Sequence, residues 1–114
     1  MTLPRTARLA FIAAAFAVWP ISTHADQRTD ARRRFRSGMD AIARNDFAGG
    51  IAELQQAYEI KPHPNVLYNI AKAYEDWGKT DLAIAWYTRY LEFDVPDRGR
   101  VEEALTRLRK QLAQ

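Results

Sequence analysis

Apolar side chains recur along the chain at steps of three and four. Phe35, Met39 and Ile42 form one set, and Ile51, Leu54 and Tyr58 a second. Leu67, Ile70, Ala71 and Tyr74 form a third, and Leu82, Ile84, Tyr87 and Leu91 a fourth. Val101, Ala104, Leu105, Leu108 and Leu112 form a fifth. This spacing puts each set on one face of an α-helix, the face a helix buries. No stretch sustains the period-two alternation of a strand, so an all-α chain is expected.

The breaks are short: "RND" (44–46), "KPHP" (61–64), "GKTD" (78–81) and "DVPD" (94–97). Proline cannot continue a helix, and glycine tolerates a left-handed cap. Thr80 or Asp81 is placed to cap the fourth helix and Asp97 the fifth, because their side-chain oxygens accept free backbone N–H groups.

The pattern also repeats. With an offset of 33, Gly38 falls on Ala71, Asn45 on Gly78, Gly50 on Ala83, Ile51 on Ile84, Leu54 on Tyr87 and Ile60 on Phe93. Small residues meet small ones and apolar residues meet apolar ones. Each unit is a helical pair of about 34 residues. Two helices that approach closely need small side chains at the crossing, and Gly38, Gly50, Ala71 and Ala83 stand there. Tyr74, Trp86 and Tyr87 are expected to fill the space beside them. A third unit is usually needed to bury a continuous core. The fifth helix is the substitute, with Val101, Leu105, Leu108 and Leu112 covering the second unit. Its outer face would carry Glu102, Glu103, Arg107, Arg109 and Lys110.

In this arrangement the chain resembles the tetratricopeptide repeat family. "LYNIAKAY", with Leu67, Ile70, Ala71 and Tyr74, looks like the first helix of that repeat, and Gly78, Ala83, Tyr87 and Pro96 continue the pattern. Tyr90 replaces a usually small residue, and Pro96 sits about one residue late. In the first unit Gly38, Phe47, Gly50, Leu54, Ala57 and Pro62 fit, whereas Arg34 and Ser37 replace larger apolar residues. The resemblance spans 31–97, as units of about 31–63 and 64–97, with 98–114 as a terminal cap. It implies a concave groove, lined by the first helix of each repeat, that holds a partner's peptide. Carried over position by position, the groove residues are Arg32, Phe35, Arg36 and Met39 from the first unit. The second unit supplies Asn65, Tyr68, Asn69, Lys72, Glu75 and Asp76. Some members clamp a terminal carboxylate with an asparagine like Asn69. Here Phe35 and Met39 occupy the first unit's clamp positions, which implies a mixed apolar and polar groove instead. The other reading of Asn69 is a local bond to its own helix backbone. Trp77, beside the turn, is a candidate extension of the contact surface.

The N-terminus changes how the charge is read. Arg5 and Arg8 precede an apolar run, Leu9–Trp19, then Pro20 and "STHA". A charged head, a short apolar core and small residues at Thr23 and Ala25 read as a signal peptide over 1–25. Eleven apolar residues fall short of the ~20 of a spanning helix. Cleavage after Ala25 would leave Asp26 first and 26–30 as a short lead. The rival reading is an uncleaved anchor. Export follows, to the periplasm in preference to the outside medium.

The formal charge is +3, from 17 basic and 14 acidic side chains. Removing Arg5 and Arg8 leaves 15 basic groups against 14, so the apparent basicity belongs mostly to the signal. It gives no case for nucleic acid. Within the mature part, "RTDARRRFR" (28–36) is locally basic. It reads as a solvated face, or as a patch (Arg32–Arg36) for an acidic partner or a weak contact with an anionic surface.

Catalysis finds little material. The chain has no cysteine and two histidines, and His63 sits alone between two prolines. A nucleophile needs a base of near-neutral pKa beside it, and a metal site needs several ligands. Glu75–Asp76 and Glu102–Glu103 are adjacent in helical sequence and so point apart. No catalytic residue, metal ligand or cofactor is assigned. The expected function is a non-catalytic adaptor binding a protein or peptide. The alternative is a self-associating structural part of an envelope assembly.

Overall fold

The computed structural model describes residues 15, 17, 18 and 23–114. Most of the signal-like segment lies outside the described residues. Five helices follow in order: α1 (His24–Ala43), α2 (Phe47–Ile60), α3 (Pro64–Asp76), α4 (Thr80–Tyr90) and α5 (Arg98–Leu112). The architecture is all-α. α1 packs on α2 and α3 on α4 as two antiparallel pairs, α2 joins the pairs through α3, and α5 covers α4.

The 33-residue register holds down to single hydrogen bonds. Asn45 (φ 63°) and Gly78 (φ 81°) both take the left-handed conformation at the helix–helix turn. Asparagine and glycine are the residues that visit it at least cost. The Asn45 and Gly78 N–H groups donate to Ile42 and Glu75 carbonyls at 2.9 and 3.0 Å. The Asp46 and Lys79 N–H groups donate to Ala41 and Tyr74 carbonyls, both at 2.9 Å. Each turn therefore satisfies the last carbonyls of its first helix with the same six-to-one bond.

The helix crossings sit where small residues were expected. A methyl added at Gly38 would stand 2.8 Å from the Gly50 carbonyl oxygen, and one at Gly50 would stand 2.7 Å from the Gly38 oxygen. In the second unit Ala71 and Ala83 are fully buried at the equivalent crossing. One core cluster joins Ile51, Leu54, Val66, Ile70 and Ala73, with Phe35 and Met39 packed against it. The other joins Leu67, Ala71, Ala83 and Tyr87 to Val101, Leu105 and Leu108 of α5.

Several local expectations are corrected. Leu82 is 40% exposed and Leu112 57% exposed, so neither belongs to its helix's buried face. Leu112 is the last residue of α5. Leu91 lies past the end of α4, because that helix stops at Tyr90. Neither Thr80 nor Asp81 caps α4: Lys79 holds the N-cap position and gives no side-chain bond. Asp97 is the N-cap residue of α5, but its carboxylate accepts from the Tyr90 hydroxyl at 2.5 Å instead of from a free N–H. Pro64 is the first residue of α3, not part of the loop, which suits a residue whose missing N–H is not needed there. α1 begins at His24, so 26–30 form one of its early turns. Thr23 and Asp26 cap it reciprocally.

Candidate functional site

The sequence of α1 places two rows of side chains side by side. Ala31, Phe35 and Met39 recur every four residues, and so do Arg28, Arg32 and Arg36. Every fourth residue of a helix returns to nearly the same face. The opposite wall comes from the end of α2, the turn and the start of α3. Ala57, Lys61, His63, Asn65 and Val66 stand there. Between the two walls lies a groove of about 550 Å³. The His63 imidazole fixes that wall, its Nδ1 accepting the Asn65 N–H at 3.2 Å as the cap of α3. The floor is apolar and the rim is cationic.

Five of the ten expected site residues meet in this groove: Arg32, Phe35, Arg36, Met39 and Asn65. Tyr68, Lys72 and Glu75 line a separate concavity of about 460 Å³, where α3 faces α5. Asn69 and Asp76 line neither. The Asn69 amide donates to the Asn65 carbonyl at 2.8 Å, one turn earlier. Lys72 donates to Asp76 at 2.9 Å. That bond, against some loss of solvation, raises the Lys72 pKa above its ordinary value.

Glu75 is the hub of the second concavity. Its two oxygens accept from the Tyr87 hydroxyl at 2.7 Å and from Arg107 at 2.9 Å. Burial pushes its carboxyl up, but the two hydrogen bonds outweigh this and leave it below the usual value. Burial and the same bond push the Tyr87 phenol up. Arg107 was expected on the outer face of α5; the bond to Glu75 puts it on the edge facing α3. Glu75 and Lys72 therefore bring their own counter-charges, and this half of the inner face is electrostatically occupied.

The arginine cluster on α1 divides in the same way. Arg33 pairs with Asp30, and Arg34 reaches Glu53 of α2 at 3.3 Å. Arg28, Arg32 and Arg36 form no ion pair among the described residues, and neither does Lys61. Arg32 and Arg36 also border a second hollow, of about 580 Å³, with Arg33 and Arg44 on the other flank of α1. Asp40 is the one acidic side chain lining the groove.

The aromatics of the second unit pack the helices together. Tyr87 is 2% exposed, with Tyr68 edge-on to it at 5.8 Å. Tyr74 stacks near both Trp77 and Trp86, and Trp77 near Phe47. Arg89 lies over Trp86 at 4.4 Å from the ring centre. Trp77 is 40% exposed, yet it is held on the α2 side by Phe47 and so lies away from the groove.

Arg28, Lys61 and His63 were not among the expected site residues. Arg28 carried a readable signal, since it extends the Arg32–Arg36 row by one turn. Lys61 and His63 reach the groove through the path of the turn, which local periodicity does not specify. Among the described residues no group of three or more His, Asp or Glu gathers as metal ligands would.

Residues 64–94, which cover α3, α4 and the turn after them, match the family model described as tetratricopeptide repeat. Such repeats generally mediate protein–protein interaction. No curated protein matches the chain.

Proposed function

We propose that this chain is a non-catalytic adaptor of the cell envelope, exported to the periplasm, that holds a segment of a partner protein in the groove between α1 and α3. The groove carries the reading, because it joins a cationic rim (Arg28, Arg32, Arg36, Lys61) to an apolar floor of Phe35, Met39 and Val66. Polar groups at a rim orient a partner, and apolar surface at the centre supplies most of the affinity. The repeat at 64–94 supports the same class of function. A second reading is self-assembly, and the exposure of Leu112 at the end of α5 favours it.

Affinity capture from an envelope extract of the source cells separates the two. The comparison is between the native chain, an Arg36→Glu/Asn65→Lys variant, and a Gln56→Lys variant on the exposed side of α2. The adaptor reading expects a protein recovered with the native chain and Gln56→Lys and lost with the groove variant. Equal recovery from all three overturns it, as does recovery of this chain alone.

A further inference from the structure

The groove specifies more than a partner of unknown chemistry. Building on the adaptor reading, we infer that its occupant is an acidic amphipathic helix, with one apolar row beside one row of carboxylates.

The two rows on α1 set this requirement. Arg28, Arg32 and Arg36 repeat every four residues, a step of about 6 Å along the axis. Ala31, Phe35 and Met39 repeat with the same step, and residues three apart lie about 60° apart around the helix. The rows are therefore neighbours on one surface. A partner must offer an apolar row and an acidic row at a similar angle and spacing. A helix does so with side chains at i, i+4 and i+8. An extended segment sends consecutive side chains to opposite faces, so one of its rows points away. Ridges of i±4 spacing on two helices also interlock directly.

Charge fixes the sign. Arg28, Arg32, Arg36 and Lys61 pair with no carboxylate among the described residues, whereas Lys72 and Arg107 are matched by Asp76 and Glu75. Attraction for an anionic partner is concentrated at the α1 half, with Asp40 the one opposing charge in the lining. A bilayer would supply anionic charge too, but a flat surface cannot reach an apolar floor between two walls. A helix about 10 Å wide lies in such a trough and brings its own apolar row.

The test uses stapled synthetic helices of about 16 residues, long enough to hold three steps of each row. One carries leucine in the first row and glutamate in the adjacent row. A second has the same composition with the rows scrambled, and a third has lysine for glutamate. A fourth has serine for leucine. Binding to the full chain is read by fluorescence anisotropy at about 50 and about 200 mM salt. The patterned acidic helix should bind, weaken as salt rises, and lose about tenfold or more in affinity with Arg32→Glu/Arg36→Glu. Both arginines are exposed, and circular dichroism checks that this variant stays folded. The scrambled, lysine and serine helices should each bind more weakly than the patterned one. Equal affinity for the scrambled helix, or no loss on charge reversal, overturns the inference. So does sedimentation of the native chain with phosphatidylglycerol vesicles when the patterned helix does not bind. If affinity capture yields a groove-dependent partner while the patterned helix fails to bind, the adaptor reading stands and the helix inference falls.

Discussion

Alanine at Gly38 should loosen the first helical pair, although alanine is the better helix former. The new Cβ would lie 2.8 Å from the Gly50 carbonyl oxygen and 3.0 Å from Leu54 Cγ. Ordinary contact begins near 3.4 Å, so α1 and α2 must part by about 0.6 Å there. The obstacle is backbone on a packed helix and cannot rotate away. Overpacking of this kind costs about 1–3 kcal/mol. Exchanging glycine for alanine inside a helix returns about 1 kcal/mol. The net expectation is a loss of about 1 kcal/mol, or about 4–8 °C in Tm for a domain this small. Gly99 is the control, because it opens α5 with no atom within 4 Å of an added methyl. Gly99→Ala should gain up to about 0.5–1 kcal/mol from propensity alone. Urea unfolding followed by far-ultraviolet circular dichroism measures both. A Gly38→Ala chain stabilised as much as Gly99→Ala would refute the close crossing and with it the helix-pair geometry.

Glu75→Ala should cost about 1–3 kcal/mol, because it leaves the buried Tyr87 hydroxyl without an acceptor. Tyr87→Phe in that background should add little, and a double-mutant cycle showing additivity would contradict the bond. Glu75 has a depressed pKa, so its contribution is present above the ordinary 4.5 and fades as pH falls through the lower folded value; Glu75→Gln should flatten the acid limb of the stability curve. Burial and its bond to Asp97 push the Tyr90 phenol up to about 12. Stability from that shift is complete below pH 10 and lost as pH rises toward 12, so Tyr90→Phe should be less sensitive to alkali in the same urea titrations. Leu54→Ala, at a fully buried position, should cost about 2–5 kcal/mol by the same assay, and a loss under 1 kcal/mol would contradict its placement.

The fold was legible because its signals are local and repeated. Three-and-four spacing gave the helices, and the match of Asn45 with Gly78 gave the turn that both pairs share. The cap residues were less legible. A side chain able to cap has other partners once the chain folds, and Asp97 turns to Tyr90. The groove was legible in part. The resemblance placed Arg32, Phe35, Arg36, Met39 and Asn65, which do meet. It did not reveal that Glu75 is tied to Arg107, because an ion pair 32 residues apart leaves no periodic trace. The Lys72–Asp76 pair, four residues apart on α3, was readable from its spacing. Arg107 read as outward since its neighbours along α5 are charged, and only the position of α3 turns it inward.

Site-specific photo-crosslinking in the source cells tests the central claim most directly. The probe replaces Asn65 in the groove, with a control probe at the exposed Ala85 of α4. A discrete adduct with a second protein from Asn65, absent from Ala85, is the predicted result. An adduct at twice the chain's mass containing this protein alone, or the same adduct from both positions, would contradict it.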